Sequence, residues 1–154
     1  MKMSTYLVAF VIGELEVTEV GSVGDTQIRI IHRPGFSHQT SFAGTAGMKI
    51  LEFFENYYQI PYPGSKLDLI AIPDFAMGAM ENVGAVTFRE SLLLIDESKA
   101  TRQELSRSVS VIAHELAHMW FGDLVTMKWW DGIWLNEAFA SLMEAIAANG
   151  TYPE

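Results

Sequence analysis

His114 and His118 stand four residues apart with Glu115 beside the first, in the pentapeptide His114-Glu115-Leu116-Ala117-His118. On a helix, side chains four apart share one face about a turn apart, so two imidazoles can grip a single zinc ion. Glu115, rotated about 100° from His114, can reach a water on that ion without ligating it. Zinc lowers the pKa of its water to roughly 7, and a carboxylate base then makes it a nucleophile at neutral pH. The plain alternative is a helix with two histidines incidentally in register, a pattern that chance supplies in on the order of one in a few hundred chains of this size. The apolar flanks Val111, Ile112, Ala113, Met119, Trp120 and Phe121 weigh against it, because three polar residues in such surroundings must be satisfied.

A catalytic zinc site needs a third protein ligand. The metzincin spacing would put glycine at position 121 and His or Asp at 124, but Phe121 and Leu124 occupy them. The other route takes a glutamate from the next helix, and Glu137 stands in Trp134-Leu135-Asn136-Glu137-Ala138 with eighteen residues between it and His118. Its alternative is an acid near a helix N-terminus, favoured by the dipole. Glu144, seven residues on, lies two turns along the same face; it could orient a ligand or be a surface acid. Gly78-Ala79-Met80-Glu81-Asn82 is on local grounds a glycine-containing turn with a surface acid.

These residues must be positioned by helices. Thr101-Arg102-Gln103-Glu104 is a capping box, predicting a helix that runs through Leu116 to about Phe121 and stops at Gly122. A second helix is expected from about Trp134 or Leu135 to Asn149-Gly150, after an aromatic connection carrying Trp129 and Trp130. Upstream, the spacing of Ala46, Ile50, Phe53, Phe54 and Tyr57 predicts a helix from Phe42, stopped by Pro61 and Pro63. Strands are expected at 13–19, 26–32, 66–72, 84–88 and 91–95, with a turn at 21–25 and a linker at 37–41. The apolar run 6–12 after Met1-Lys2 superficially resembles a leader. With no small-x-small cleavage site behind it, and far fewer than the roughly 20 residues needed to span a bilayer, it is expected as a buried strand.

Composition bounds the partners. In 154 residues, nineteen acids against ten Lys and Arg give a net charge of −9, which excludes the basic footprint of a nucleic-acid binder. With 49% apolar and only 19% charged residues the chain can bury a core, so a disordered acidic tail is excluded. The absence of cysteine excludes disulfides and thiolate metal sites. Neither a leader nor a transmembrane segment is expected, which points to the cytoplasm.

Taken together, the segments 78–82 (GAMEN), 114–118 (HELAH) and 134–140 (WLNEAFA), with 3–10, 60–75 and 120–130, resemble the zinc aminopeptidases of the aminopeptidase N type, gluzincins with a thermolysin-like catalytic domain. The resemblance covers essentially the whole chain. It implies an α+β fold: the thermolysin-like zinc-peptidase core in part (37–154), preceded by terminal strands of an N-terminal β-domain (1–36). It implies one Zn2+ held by His114, His118 and Glu137, Glu115 as general base, and peptide substrates with a free N-terminus. It gives Glu81 the substrate's α-ammonium and lets the backbone around Gly78, Ala79, Met80 and Asn82 align the peptide. An α-amine with a pKa near 8 and a carboxylate near 4.3 are oppositely charged at pH 7, so the pair fixes which bond lies over the metal.

Family members are several times longer, and carry a further amine-binding glutamate and an oxyanion-stabilising tyrosine. Tyr6, Tyr57, Tyr58, Tyr62 and Tyr152 match none of that tyrosine's context. Loss of such a donor costs about 3–4 kcal/mol in the transition state. The expectation is therefore the metal-binding portion of an aminopeptidase. A non-catalytic zinc-binding module is the alternative, and Glu81 disfavours an endopeptidase. Apolar surface left by missing domains is expected to promote self-association.

Overall fold

The computed structural model describes residues 3–153. Met1 and Lys2, the basic start weighed as a leader, lie outside them. The fold is α+β: a five-stranded mixed sheet with helices packed on its apolar face. β1 (Glu16–Val23) and β2 (Thr26–His32) form an antiparallel hairpin around Gly24 and Asp25. β3 (Lys66–Ile72) lies parallel to β2, and β5 (Ala85–Arg89) parallel to β3. β4 (Ala79–Met80) runs antiparallel to β5 at the end of the order β1-β2-β3-β5-β4.

α1 (Ser41–Tyr58) makes the crossover from β2 to β3. Its small residues let it lie close on the hairpin: a Cβ at Gly44 would come within 2.9 Å of Val20 Cγ1. A four-residue turn of helix, α2 (Glu90–Leu93), follows β5. α3 (Arg102–His118) and α4 (Ile133–Thr151) pack against one another, and both contact α1. The core between sheet and helices is fully buried at Ile28, Ile30, Ile50, Phe54, Leu69, Phe88, Ile112 and Leu116. Each such side chain contributes roughly 1.5–3 kcal/mol by leaving water. In β2 the side chains alternate: Ile28 and Ile30 face the core, while Arg29 faces outward and pairs with Asp68.

Two expectations are corrected. Residues 6–12 are not a buried strand: Thr5–Leu7 is a 3-10 turn, Leu7 is buried, but Phe10 and Ile12 are 88% and 95% exposed. No described strand pairs with this run, and a strand without a partner leaves its backbone groups unpaired. Residues 91–95 are not a strand either. Leu93, Leu94 and Ile95 are buried in and after α2, a case of the helix–strand ambiguity of short apolar runs. Five register pairs, from Gln27↔Lys66 to Ile31↔Ile70, join β2 to β3, so the hairpin is the outer part of the sheet that supports the candidate site. Among the described residues no helix is long and apolar enough to cross a membrane.

Candidate metal centre

α3 is started by its capping box: the Glu104 amide donates to Thr101 Oγ1 at 3.3 Å, and the Thr101 amide donates to Glu104 Oε2 at 2.8 Å. The helix buries Val109, Ile112 and Leu116 and turns His114 and His118 toward α4. Beyond His118 the chain reverses through Gly122, at φ 133°. A Cβ there would lie 2.5 Å from Asn136 Oδ1 and 3.1 Å from His118 Nδ1, so glycine is what lets α4 approach the histidine.

Glu137 arrives from α4. Its Oε2 lies 3.2 Å from His114 Nε2 and 3.7 Å from His118 Nε2, and the two Nε2 atoms are 3.2 Å apart. The other ring nitrogens have partners of their own. His114 Nδ1 lies 3.2 Å from Glu144 Oε2, and His118 Nδ1 lies 3.1 Å from Asn136 Oδ1 and 3.2 Å from the Phe121 carbonyl. With acceptors at Nδ1, the neutral ligating form of each ring keeps its proton on that nitrogen and presents the Nε2 lone pair. In that form three lone-pair atoms converge, whereas without a metal His118 shares a proton with Glu137. Ligands about 2.0–2.1 Å from a tetrahedral ion are about 3.4 Å apart, so the donor set and its spacing fit zinc.

Glu115 is buried, and its carboxylate lies within 4.8 Å of the ligating atoms of His118 and Glu81. Glu81 is only 3% exposed, which overturns the local expectation of a surface acid. Its neighbour Asn82 anchors the loop by donating to the Leu7 carbonyl at 3.3 Å and accepting from Thr87 Oγ1 at 3.0 Å. Gly78, Ala79 and Met80 line the cleft ahead of Glu81; the Gly78 carbonyl is held by the Arg89 amide at 2.9 Å. One cleft of about 370 Å3 therefore collects every residue singled out from the sequence except Asn82.

The electrostatics are those of an acid-rich pocket. Burial lifts Glu115 to about 7, against the pull of His114 and His118, with Glu81 and Glu137 adding to the rise. Burial would lower His118, but its hydrogen bond to Glu137 and the charges of Glu81, Glu137 and Glu115 outweigh that and raise it to about 9. Hydrogen bonding from His118 holds Glu137 below its ordinary value despite burial. Asp123, 8% exposed and with neither carboxylate oxygen hydrogen-bonded among the described residues, is pushed up to about 8 by burial and then by Glu81. A divalent cation among these groups would offset the excess negative charge.

Sequence reasoning missed Asn136, which touches His118 and whose Nδ2 lies 3.4 Å from Glu81 Oε1. Its signal was its place beside Glu137 in an otherwise apolar stretch. It also missed Asp123, and it missed Tyr6, whose hydroxyl is raised by burial and by the charge of Glu81.

The model of the peptidase family M1 domain matches residues 42–154, and the chain belongs to that family. It is 51% identical over 154 residues to human endoplasmic reticulum aminopeptidase 2, covering all of this chain and 16% of that protein. It is 48% identical over 152 residues to aminopeptidase M1-A of rice (99% of this chain, 17% of that protein). Against the puromycin-sensitive aminopeptidase of Caenorhabditis elegans it is 47% identical over 153 residues (99% and 16%). The chain thus spans about a sixth of the length of these relatives.

Proposed function

We propose that this chain is the metal-binding part of a zinc aminopeptidase, holding one Zn2+ through His114, His118 and Glu137 and acting on peptides with a free N-terminus. The observation that carries the proposal is the convergence of His114 Nε2, His118 Nε2 and Glu137 Oε2 to within 3.7 Å of one another beside a buried carboxylate. Bound zinc would polarise the scissile carbonyl and acidify a water. Glu115, a buried carboxylate beside those ligand atoms, would be the group that accepts a proton in the cleft and returns it to the leaving amine. Glu81 pairs with the α-ammonium. β4, paired only with β5 among the described strands, offers an open edge along which the peptide can extend. Asn136 and Glu144 fix the histidine rings.

Glu115→Gln tests the reading: zinc should stay bound while release of N-terminal residues falls by about 10²–10⁴. Undiminished turnover would remove Glu115 as the base. Peptides blocked by N-acetylation should be poor substrates, and equal cleavage would remove Glu81 as the amine site. Zinc binding without any turnover of free peptides would favour a metal-binding module.

A further inference from the structure

We propose that Arg107 is the opposite pole of the cleft from Glu81 and binds the C-terminal carboxylate of short peptides. The inference rests on the aminopeptidase reading and assigns a substrate class to the same site. Arg107, Val111, His114 and His118 follow one another at spacings of four, three and four, so they share one stripe of α3. All four line the cleft, and among the described residues Arg107 is the one Arg or Lys on its lining. Glu81 sits at the His118 end of that stripe. At 1.5 Å per residue, Arg107 is ~10 Å before His114 and ~16 Å before His118. The cleft is therefore acidic at one end, basic at the other, with the three converging ligand atoms between.

Arg107 is exposed and has no carboxylate partner among the described residues. The nearest acids along the chain and in the cleft are committed elsewhere: Glu104 to the Thr101 cap and Glu144 to His114. Arg107 lines this cleft and the adjoining hollow beside Ser91 and Gln103, and a guanidinium without an acidic partner there matches a carboxylate bidentately. An extended peptide covers ~3.3–3.6 Å per residue. With its ammonium at Glu81, its carboxylate reaches the Arg107 end when it has about three or four residues; a dipeptide falls short.

The test is calorimetric binding to the zinc-loaded Glu115→Gln chain, which should not hydrolyse its ligand. The probes are the tetrapeptide Leu-Gly-Gly-Gly, its C-terminal amide, its N-acetyl form, and the dipeptide Leu-Gly with its amide. The free tetrapeptide should bind about fivefold more tightly than its amide at low salt, the difference shrinking as salt rises, while the dipeptide pair should bind alike. Adding Arg107→Gln should bring the free tetrapeptide to the level of its amide, and Arg107→Lys should retain most of the preference. Equal binding of acid and amide with Arg107 in place, or a preference that survives Arg107→Gln, overturns the proposal. Acid preference lost while acetylation still weakens binding would overturn Arg107 alone. Acetylation without effect alongside an intact acid preference supports Arg107 and would overturn Glu81 alone. Failure of every peptide to bind overturns both.

Discussion

Two clusters of charged residues occupy this small fold, and their chemistry is opposite. On the outer face of the sheet, Asp68 accepts two hydrogen bonds from Arg29, at 2.6 and 2.8 Å, and one from Lys66 at 2.6 Å. Burial opposes its charge, but the two cations outweigh burial and hold its carboxyl below the usual value. Between α3, α4 and the β4 loop, Glu81, Glu115, Glu137, Glu144 and Asp123 surround two histidines, and among the described residues none of these acids is ion-paired with a Lys or Arg. There burial lifts Glu115 to about 7 and Asp123 to about 8. Satisfied charges locate scaffold; unsatisfied charges locate the place where something else must bind.

That contrast can be broken at several points. Zinc at 100 times its dissociation constant should stabilise the chain by about 2.7 kcal/mol, raising Tm by roughly 5–10 °C in a thermal scan, and His118→Ala should remove the rise. Asn136→Ala leaves His118 Nδ1 with the Phe121 carbonyl alone, and metal affinity should fall about 10–100-fold in a chelator competition. Asp68→Asn is the matched experiment on the other cluster. It should cost about 1–3 kcal/mol in urea denaturation and leave zinc affinity unaltered. Weakest is Arg33→Gln on the more exposed Arg33–Glu90 pair, 2.9 Å apart, where a loss of at most about 1 kcal/mol is expected.

Acidity separates the clusters as well. Glu115 and Asp123 titrate at about 7 and 8 in the fold, against ~4 in an unfolded chain, so across that window the native state holds more protons. Stability of the chelated protein must then fall as pH rises from ~4 to 8. His118, raised to about 9, acts the same way from ~6.5 to 9. Asp68 acts in reverse: lowered in the fold, it contributes stability above ~4 that is lost as pH falls further. In chelator, Tm should therefore be higher at pH 5.5 than at pH 8.5. The gain from zinc should grow with pH, because its ligands must shed protons. A flat profile between those two pH values would contradict the assignment of the acid-rich cluster.

Much of this was legible in the amino-acid order because it is local. A four-residue spacing puts His114 and His118 on one face whatever surrounds them, and Thr101 with Glu104 starts the helix by bonds within one turn. Glu137 could be nominated because its helix is strongly marked and the connection is short enough to fold back. What was illegible depends on pairing across the chain. The run 6–12 has strand-like composition but no described neighbour to pair with, and β2 meets β3 through partners nearly forty residues apart. Glu81 looked like a surface acid in its own pentapeptide, since the elements that bury it, α3, α4 and Tyr6 of the N-terminal segment, are all distant in sequence. Asn136 and Asp123 carry no spacing signature; their roles come from the reversal at Gly122.

The central claim is that His114, His118 and Glu137 together hold one zinc ion. Calorimetric titration of the chelator-stripped chain with zinc tests it most directly. One ion bound per chain, with binding lost in His118→Ala and in Glu137→Ala, is the predicted result. Absence of binding, or binding that survives both substitutions in folded protein, would contradict it.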